Sequence, residues 1–176
     1  MNYPEEILER AKAIRLLIMD VDGVLTDGRL WFTADGEELK SFHARDGHGI
    51  KLVQRSGIET AVISGRRSKA VALRMESLGI AHVYQGFEQK LGPFEDLMEN
   101  LKMKPAEVCY VGDDLLDLPL LRRVGLAVAV ADAHFGIEPH IHLRTRQSGG
   151  MGAIREVCDL ILYAQDQLEG IVRSYY

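Results

Sequence analysis

The chain has 176 residues, 47% of them hydrophobic, and a formal net charge of -5 at pH 7. This length and apolar content suit one substantial core, so we predict a single domain over residues 1–176. The acidic balance argues against nucleic-acid binding, which needs a clustered basic surface. No apolar run approaches the roughly 20 residues that cross a bilayer, and we expect no membrane partner. The two cysteines are too few for a disulfide framework, and the N-terminus lacks a signal-peptide pattern, which together predict a cytoplasmic protein.

Apolar runs and helical patterns alternate along most of the chain, which is typical of a parallel sheet covered on both faces. We therefore predict a doubly wound, Rossmann-like α/β fold with a β-hairpin flap after the first strand. In chain order the expected elements are a helix after Pro4, a strand over 16–19, a hairpin over 28–42 around Asp35-Gly36, a helix over 46–55, a strand over 59–63, a helix over 68–78, a strand over 81–84, a helix over 91–101, a strand over 108–111, a helix over 115–123, a strand over 126–131 and a helix over 151–168.

Polar side chains follow four of these strands. They are Asp20 and Asp22 after the first strand, Ser64 after the second, Lys90 after the third, and Asp113 and Asp114 after the fourth. Because the carboxyl ends of parallel strands lie along one edge of a sheet, we expect these residues to converge there on one site.

Two acidic loops, a hydroxyl and a lysine suit phosphoryl transfer assisted by a divalent cation. A carboxylate nucleophile must approach an anionic phosphate, so Mg²⁺ and Lys90 would offset the repulsion. Ser64 and backbone N–H groups would hold the nonbridging oxygens. Magnesium prefers oxygen ligands, which matches a site built from carboxylates without clustered histidines.

The order of these motifs resembles that of the haloacid dehalogenase superfamily of phosphatases, which carry an Asp-x-Asp loop, a Ser/Thr, a Lys and a late acidic Gly-Asp-Asp loop with a further Asp after it. The resemblance implies that Asp20 is the nucleophile that forms an aspartyl-phosphate. Asp22 would protonate the leaving alkoxide and then activate water. Mg²⁺ would lie between the Asp20 carboxylate, the Asp22 main-chain carbonyl and Asp113, while Asp114 and Asp117 would support this shell or hold a magnesium water.

A narrower resemblance covers nearly the whole chain and points to the 3-deoxy-D-manno-octulosonate 8-phosphate phosphatase family. It rests on the stretches 17–28, 36–42, 45–47, 63–66, 112–117, 128–134 and 150–160. It implies hydrolysis of an eight-carbon keto-acid sugar phosphate in lipopolysaccharide biosynthesis. Substrate binding would involve Asp22, Ser64, Gly65, Arg66, Arg74 and Lys90. Of the two arginines, which would bind the substrate carboxylate, Arg66 is favoured because it directly follows the Ser64 loop.

The spacing of the motifs leaves no room for a helix-rich cap domain. Only 36 residues separate Asp27 from Ser64, and 25 separate Ser64 from Lys90. A site without a cap domain could be covered by a neighbouring subunit, with the hairpin over 28–42 forming the contact between subunits. The resemblance implies a homotetramer of this design, and we expect Trp31 and Phe32 to contribute to the interface.

Two other functions compete with this one. A related nine-carbon keto-acid sugar phosphate is the nearest rival substrate. A phosphoacceptor signalling domain also places acidic residues, a Ser/Thr and a Lys around magnesium, but it lacks the late acidic loop that this chain has at Gly112-Asp113-Asp114. The glycine-rich run 149–152 lacks the lysine of a phosphate-binding loop, and it is interpreted as a flexible turn.

Overall fold

A computed structural model describes residues 2–176 as a six-stranded parallel sheet with helices on both faces and a separate two-stranded hairpin. The strands are β1 (Leu16–Met19), β2 (Trp31–Phe32), β3 (Glu38–Leu39), β4 (Glu59–Ser64), β5 (His82–Gln85), β6 (Val108–Gly112), β7 (Leu126–Ala129) and β8 (Leu143–Arg144). The helices are α1 (Glu5–Lys12), α2 (Ala44–Arg55), α3 (Lys69–Leu78), α4 (Leu91–Leu101), α5 (Leu118–Leu121), α6 (Ala153–Ala164) and α7 (Leu168–Arg173). The predicted fold class is confirmed, and Met1 of the predicted domain lies outside the described residues.

The position of β1 in the sheet explains where ligands can bind. The strand order is β5-β4-β1-β6-β7-β8, so the chain first runs outward from β1 to β4 and β5 and then returns to the other side of β1 as β6. Connections that leave a strand in opposite directions open a crevice at its carboxyl end. The Asp20 loop follows β1 at this switch point.

Both faces of β1 are buried, which accounts for its uninterrupted apolar sequence. Leu17 and Met19 pack into a core formed with α1, α2, α3 and α6. Leu16 and Ile18 pack into the opposite core, formed with α4 and α5. A central strand covered on both sides is a rigid support for the loop that follows it.

Two predicted helices are shorter than their sequence patterns suggested. The helix predicted over 115–123 is a 3₁₀ turn at Leu115–Asp117 followed by the single-turn α5. The helix predicted over 151–168 divides into α6 and α7, separated by Asp166 with a φ of 58°. In the first case acidic side chains bond the local backbone, and in the second a left-handed residue interrupts the helix.

The hairpin forms around the predicted turn, with two residues in each strand. Gly36 has a φ of 83°, and the Thr33 N–H donates to the Glu37 carbonyl at 2.9 Å. Trp31 and Phe32 of β2 remain 55% and 58% exposed. The hairpin thus presents large apolar side chains outward.

No helix among residues 2–176 has both the length and the apolar character that crossing a membrane requires.

Candidate active site

The loop after β1 is held by its own polar groups. The Asp20 carboxylate accepts the Val21 N–H at 2.7 Å, and the Thr26 hydroxyl donates to the Val21 carbonyl at 3.3 Å. Gly23 has a φ of 88°, and a Cβ there would lie 2.1 Å from Asp113 Oδ2. Glycine is therefore required for the two acidic loops to approach each other.

Lys90 occupies the centre of a buried polar cluster. Its Nζ lies 2.8 Å from Asp20 Oδ2 and 2.6 Å from Asp117 Oδ1, and its side chain is 1% exposed. The Tyr110 hydroxyl donates to the same Asp117 oxygen at 2.5 Å and accepts from Lys90 Nζ at 3.2 Å. Burial by itself would lower the pKa of Lys90, but the carboxylates of Asp20 and Asp117 outweigh it and raise that pKa. Lys90 is therefore held in its charged form.

The buried Asp117 carboxylate holds the backbone of the second acidic loop, at Asp113 and Asp114, by hydrogen bonds. Its Oδ2 accepts the backbone N–H groups of Asp113 at 2.8 Å and Asp114 at 3.1 Å. A Cβ on Gly112 would lie 2.5 Å from the Asp117 carboxylate, so this approach also needs glycine. Asp114 instead caps the following turn by accepting from the Leu115 N–H at 2.7 Å. Asp117 is thus buried with its oxygens committed, whereas Asp114 lies at the surface.

The carboxylates of Asp20, Asp113 and Asp117 form a group suited to a cation, since one oxygen from each lies within 4.8 Å of the others. Burial raises the pKa of Asp113 to about 8, and repulsion from Asp117 and Asp20 adds to this effect. Burial also raises the pKa of Asp20 to about 6, against the opposing influence of Lys90. When the three carboxyls are ionised, their negative charge exceeds the positive charge of Lys90, and the raised pKa values of Asp20 and Asp113 reflect the cost of ionising them without a cation. A hard divalent cation such as Mg²⁺ fits both this charge and these oxygen donors.

Asp22 faces the hairpin and lies outside this carboxylate group. Its Oδ1 accepts a hydrogen bond from Lys40 Nζ, which also lies 3.4 Å from Glu38 Oε1. Arg66 donates from Nη2 to the same Glu38 oxygen at 2.8 Å, and its Nε lies 3.7 Å from Asp22 Oδ2. The predicted carboxylate-binding arginine is therefore beside the site but engaged with the hairpin.

The remaining predicted substrate residues occupy two different positions. Ser64 ends β4 and is 3% exposed, and the pairing of Met19 with Val62 places this strand end beside the Asp20 loop. Gly65 follows directly. Arg74 lies on α3 with its guanidinium 5.9 Å from the centre of the Phe42 ring, and within residues 2–176 it makes no hydrogen bond or ion pair to the acidic loops.

The glycine-rich turn packs tightly against the Asp20 loop. The Gly150 N–H donates to the Val24 carbonyl at 2.9 Å, and a Cβ on Gly149 would lie 1.7 Å from the Gly23 carbonyl oxygen. The Gly149 N–H also donates to Asp132 Oδ1 at 3.0 Å. The run 149–152, interpreted from sequence as a flexible turn, is instead packed against the loop that carries the candidate nucleophile and supports it.

Sequence reasoning missed Tyr110, Lys40 and Glu38. Tyr110 is fully buried in the middle of β6, and a buried tyrosine hydroxyl needs a partner, which was a usable signal. Nothing local in the sequence distinguishes Lys40 and Glu38 from the solvated charges of an ordinary hairpin. Their pairing with Asp22 and Arg66 depends on how the hairpin folds back.

Comparison with known proteins now identifies the family. Residues 75–148 match the haloacid dehalogenase-like hydrolases. The chain is 52% identical over 166 residues to 3-deoxy-D-manno-octulosonate 8-phosphate phosphatase of Yersinia pestis, covering 94% of this chain and 89% of that protein. The chain belongs to this phosphatase family. The predicted family is thus confirmed, and with it a hydrolase in preference to a signalling domain.

Solved structures of the family carry ligands relevant to the candidate site. The Moraxella catarrhalis phosphatase was crystallised with a magnesium ion, a phosphate ion and a KDO molecule; it is 37% identical, with a TM-score of 0.96 over 99% of this chain and all of that one. A cobalt-bound phosphatase from Haemophilus influenzae is 41% identical, with a TM-score of 0.87 over 90% of this chain and 93% of that one. The fold of this chain is therefore similar to that of both relatives over nearly its whole length.

Proposed function

We propose that this chain is a Mg²⁺-dependent phosphatase that hydrolyses 3-deoxy-D-manno-octulosonate 8-phosphate to the free sugar acid and phosphate, in lipopolysaccharide biosynthesis. The observation that carries the proposal is the convergence of Asp20, Lys90, Asp113 and Asp117 at the switch point of the sheet. The similarity to named phosphatases of this substrate supports the choice of sugar phosphate.

The reaction would proceed through a covalent intermediate on Asp20. A carboxylate oxygen of Asp20 attacks phosphorus, the bond from phosphorus to the sugar oxygen breaks, and Asp22 donates a proton to that oxygen. Asp22 then takes a proton from the water that attacks the aspartyl-phosphate, which releases phosphate and restores the Asp20 carboxylate. Lys90, in contact with Asp20 Oδ2, offsets the negative charge that gathers there.

The phosphate group would be held by Ser64, the Gly65 backbone and Lys90. Asp20, Asp113 and the main-chain carbonyl of Asp22 would hold Mg²⁺, with Asp114 and Asp117 supporting them. When bound, the ion supplies positive charge for the phosphate oxygens.

The substrate carboxylate would be bound by Arg66, with Arg74 as a second contact. Arg66 is a forked donor that binds a carboxylate through two hydrogen bonds. It already donates one hydrogen bond to Glu38, so substrate binding would exchange one carboxylate partner for another.

The assembly we propose is a homotetramer in which the hairpin of one subunit covers the site of its neighbour. The exposed apolar side chains of the hairpin support this, with Leu30 at 49% and Leu39 at 54% exposure beside Trp31 and Phe32. We further propose a single domain over residues 1–176 in the cytoplasm. The two buried free cysteines suit a reducing compartment.

A phosphate-release panel tests the proposed activity. The purified protein is given the eight-carbon and nine-carbon keto-acid sugar phosphates and a neutral hexose phosphate, each with Mg²⁺ and with EDTA. We expect the highest kcat/KM on the eight-carbon substrate and no release in EDTA. A preference for the nine-carbon ester would favour the rival substrate, and release in EDTA would contradict the metal requirement.

Sedimentation of the wild type and of a Trp31→Ser/Phe32→Ser variant tests the assembly. The wild type should sediment as a tetramer, and the variant should dissociate and lose activity. A fully active wild-type monomer would refute the shared site.

A further inference from the structure

Lys40 is unusually buried for a lysine on a surface hairpin. Its side chain is 1% exposed, although the neighbouring Leu39 is 54% exposed. Removing an ammonium group from water is costly unless anionic partners surround it. The partners here are Asp22 and Glu38, so the buried charge is directed at the first acidic loop.

The contact with Lys40 distinguishes the two oxygens of Asp22. Oδ1 accepts from Lys40 Nζ, whereas Oδ2 makes no hydrogen bond to any residue in 2–176, and its nearest cation is Arg66 Nε at 3.7 Å. The side chain of Asp22 is still 22% exposed, and Oδ2 is its oxygen without a hydrogen bond among the described residues, so Oδ2 is the oxygen that can bond an incoming group. Lys40 itself is closed off from the substrate by its burial.

Glu38 links the ion pair of Lys40 and Asp22 to Arg66. Its Oε1 contacts both Lys40 Nζ and Arg66 Nη2, so the hairpin is tied to the first and second strand-end loops together. An ion pair that only secured the hairpin to the body of the protein could have used Glu38 and Arg66 alone. The additional buried bond from Lys40 to Asp22 instead restrains one carboxylate of the site.

We propose that Lys40 is a positioning residue that fixes the Asp22 carboxylate by Oδ1 and leaves Oδ2 aimed at the leaving-group oxygen. This inference rests on the proposed phosphatase function, in which Asp22 passes a proton to the departing sugar. Proton transfer requires hydrogen-bond distance between the two oxygens, and a misplacement of about 1 Å can cost about 10²-fold in rate. The hairpin would thus orient the acid as well as cover the site.

The choice of leaving group separates positioning from simple structural support. A sugar alkoxide needs a proton as it departs, whereas p-nitrophenolate departs without one. Single-turnover formation of the aspartyl-phosphate is measured for Lys40→Met, Lys40→Arg and wild type with the sugar phosphate and with p-nitrophenyl phosphate, in Mg²⁺. Lys69→Met, which removes an exposed lysine on α3, is the matched control. Thermal unfolding and sedimentation establish that each variant is folded and assembled.

With Lys40→Met we expect phosphoenzyme formation to fall by about 10- to 100-fold on the sugar phosphate and by less than about 3-fold on p-nitrophenyl phosphate. Lys40→Arg should recover part of the loss, and Lys69→Met should match wild type. Equal losses on both esters, or no loss on the sugar phosphate, would overturn the role of Lys40. If Lys40→Met does not fold, the same two-ester comparison on Lys40→Arg decides. A wild type that forms no phosphoenzyme from either ester would refute the proposed function itself.

Discussion

Replacing Lys90 by methionine tests whether the buried cluster has the electrostatic balance described here. The substitution keeps most of the side-chain volume but removes a charge lying 2.6 Å from Asp117 and 2.8 Å from Asp20. Those carboxylates are themselves 1% and 12% exposed, so water replaces little of the lost interaction. Breaking a buried ion pair in this way costs about 3–5 kcal/mol. We expect the free energy of unfolding of the metal-free protein to fall by that amount at pH 8.

The loss in Lys90→Met should depend on pH in a definite direction. Lys90 lowers the pKa values of Asp20 and Asp113, so without the ammonium group repulsion among the carboxylates raises those two pKa values further. Protonating one of them at lower pH removes the repulsion. The destabilisation should therefore be smaller at pH 5.5 than at pH 8.

Urea unfolding in EDTA, followed by circular dichroism at both pH values, measures the effect. Lys69→Met is the control, and a surface change of this kind should stay within about 0.5 kcal/mol of wild type. Adding Mg²⁺ should restore part of the stability of Lys90→Met, since the cation would meet the same carboxylates. A loss below about 1 kcal/mol at pH 8, or a larger loss at pH 5.5, would refute the assigned role of Lys90 as the buried counter-charge.

Three further results are expected. Asp20→Asn should lower phosphate release by about 10³-fold or more. Its thermal midpoint should be unchanged or higher, because the substitution removes a carboxylate from a crowded group. Retained turnover would exclude Asp20 as the nucleophile. The metal-free wild type should lose stability as pH rises from about 4 to 8, because burial raises the pKa of Asp20 to about 6 and of Asp113 to about 8, so the folded state keeps protons that the unfolded chain has released. Urea titrations across this range should show that slope without Mg²⁺ and a flatter one with it, and a rise in stability with pH would contradict the raised pKa values. Gly23→Ala should cost about 1–3 kcal/mol in urea unfolding and weaken Mg²⁺ activation, because its Cβ would displace Asp113; unchanged values would mean that the loops tolerate a wider separation.

Sequence patterns were sufficient to predict the class of fold and the edge of the sheet where the site lies. Local patterns were enough for β1, whose two-sided burial requires an apolar run, and for α4, whose observed bounds Leu91–Leu101 match the predicted ones. They also placed Asp20 and Asp113 at strand ends along one edge of the sheet, and the structure pairs the two strands concerned, β1 and β6.

Which side chains contact each other follows from the tertiary packing and could not be predicted from local patterns. The bond from Tyr110 to Asp117 and the depth of Lys90 depend on how β6 and α4 pack, and local periodicity carries no information about that packing. The pairing of Lys40 with Asp22 joins residues 18 apart through a hairpin that folds back over the first loop. Secondary structure follows mainly from residues close in sequence, whereas the orientation of a buried charge follows from the partners that the whole fold brings to it.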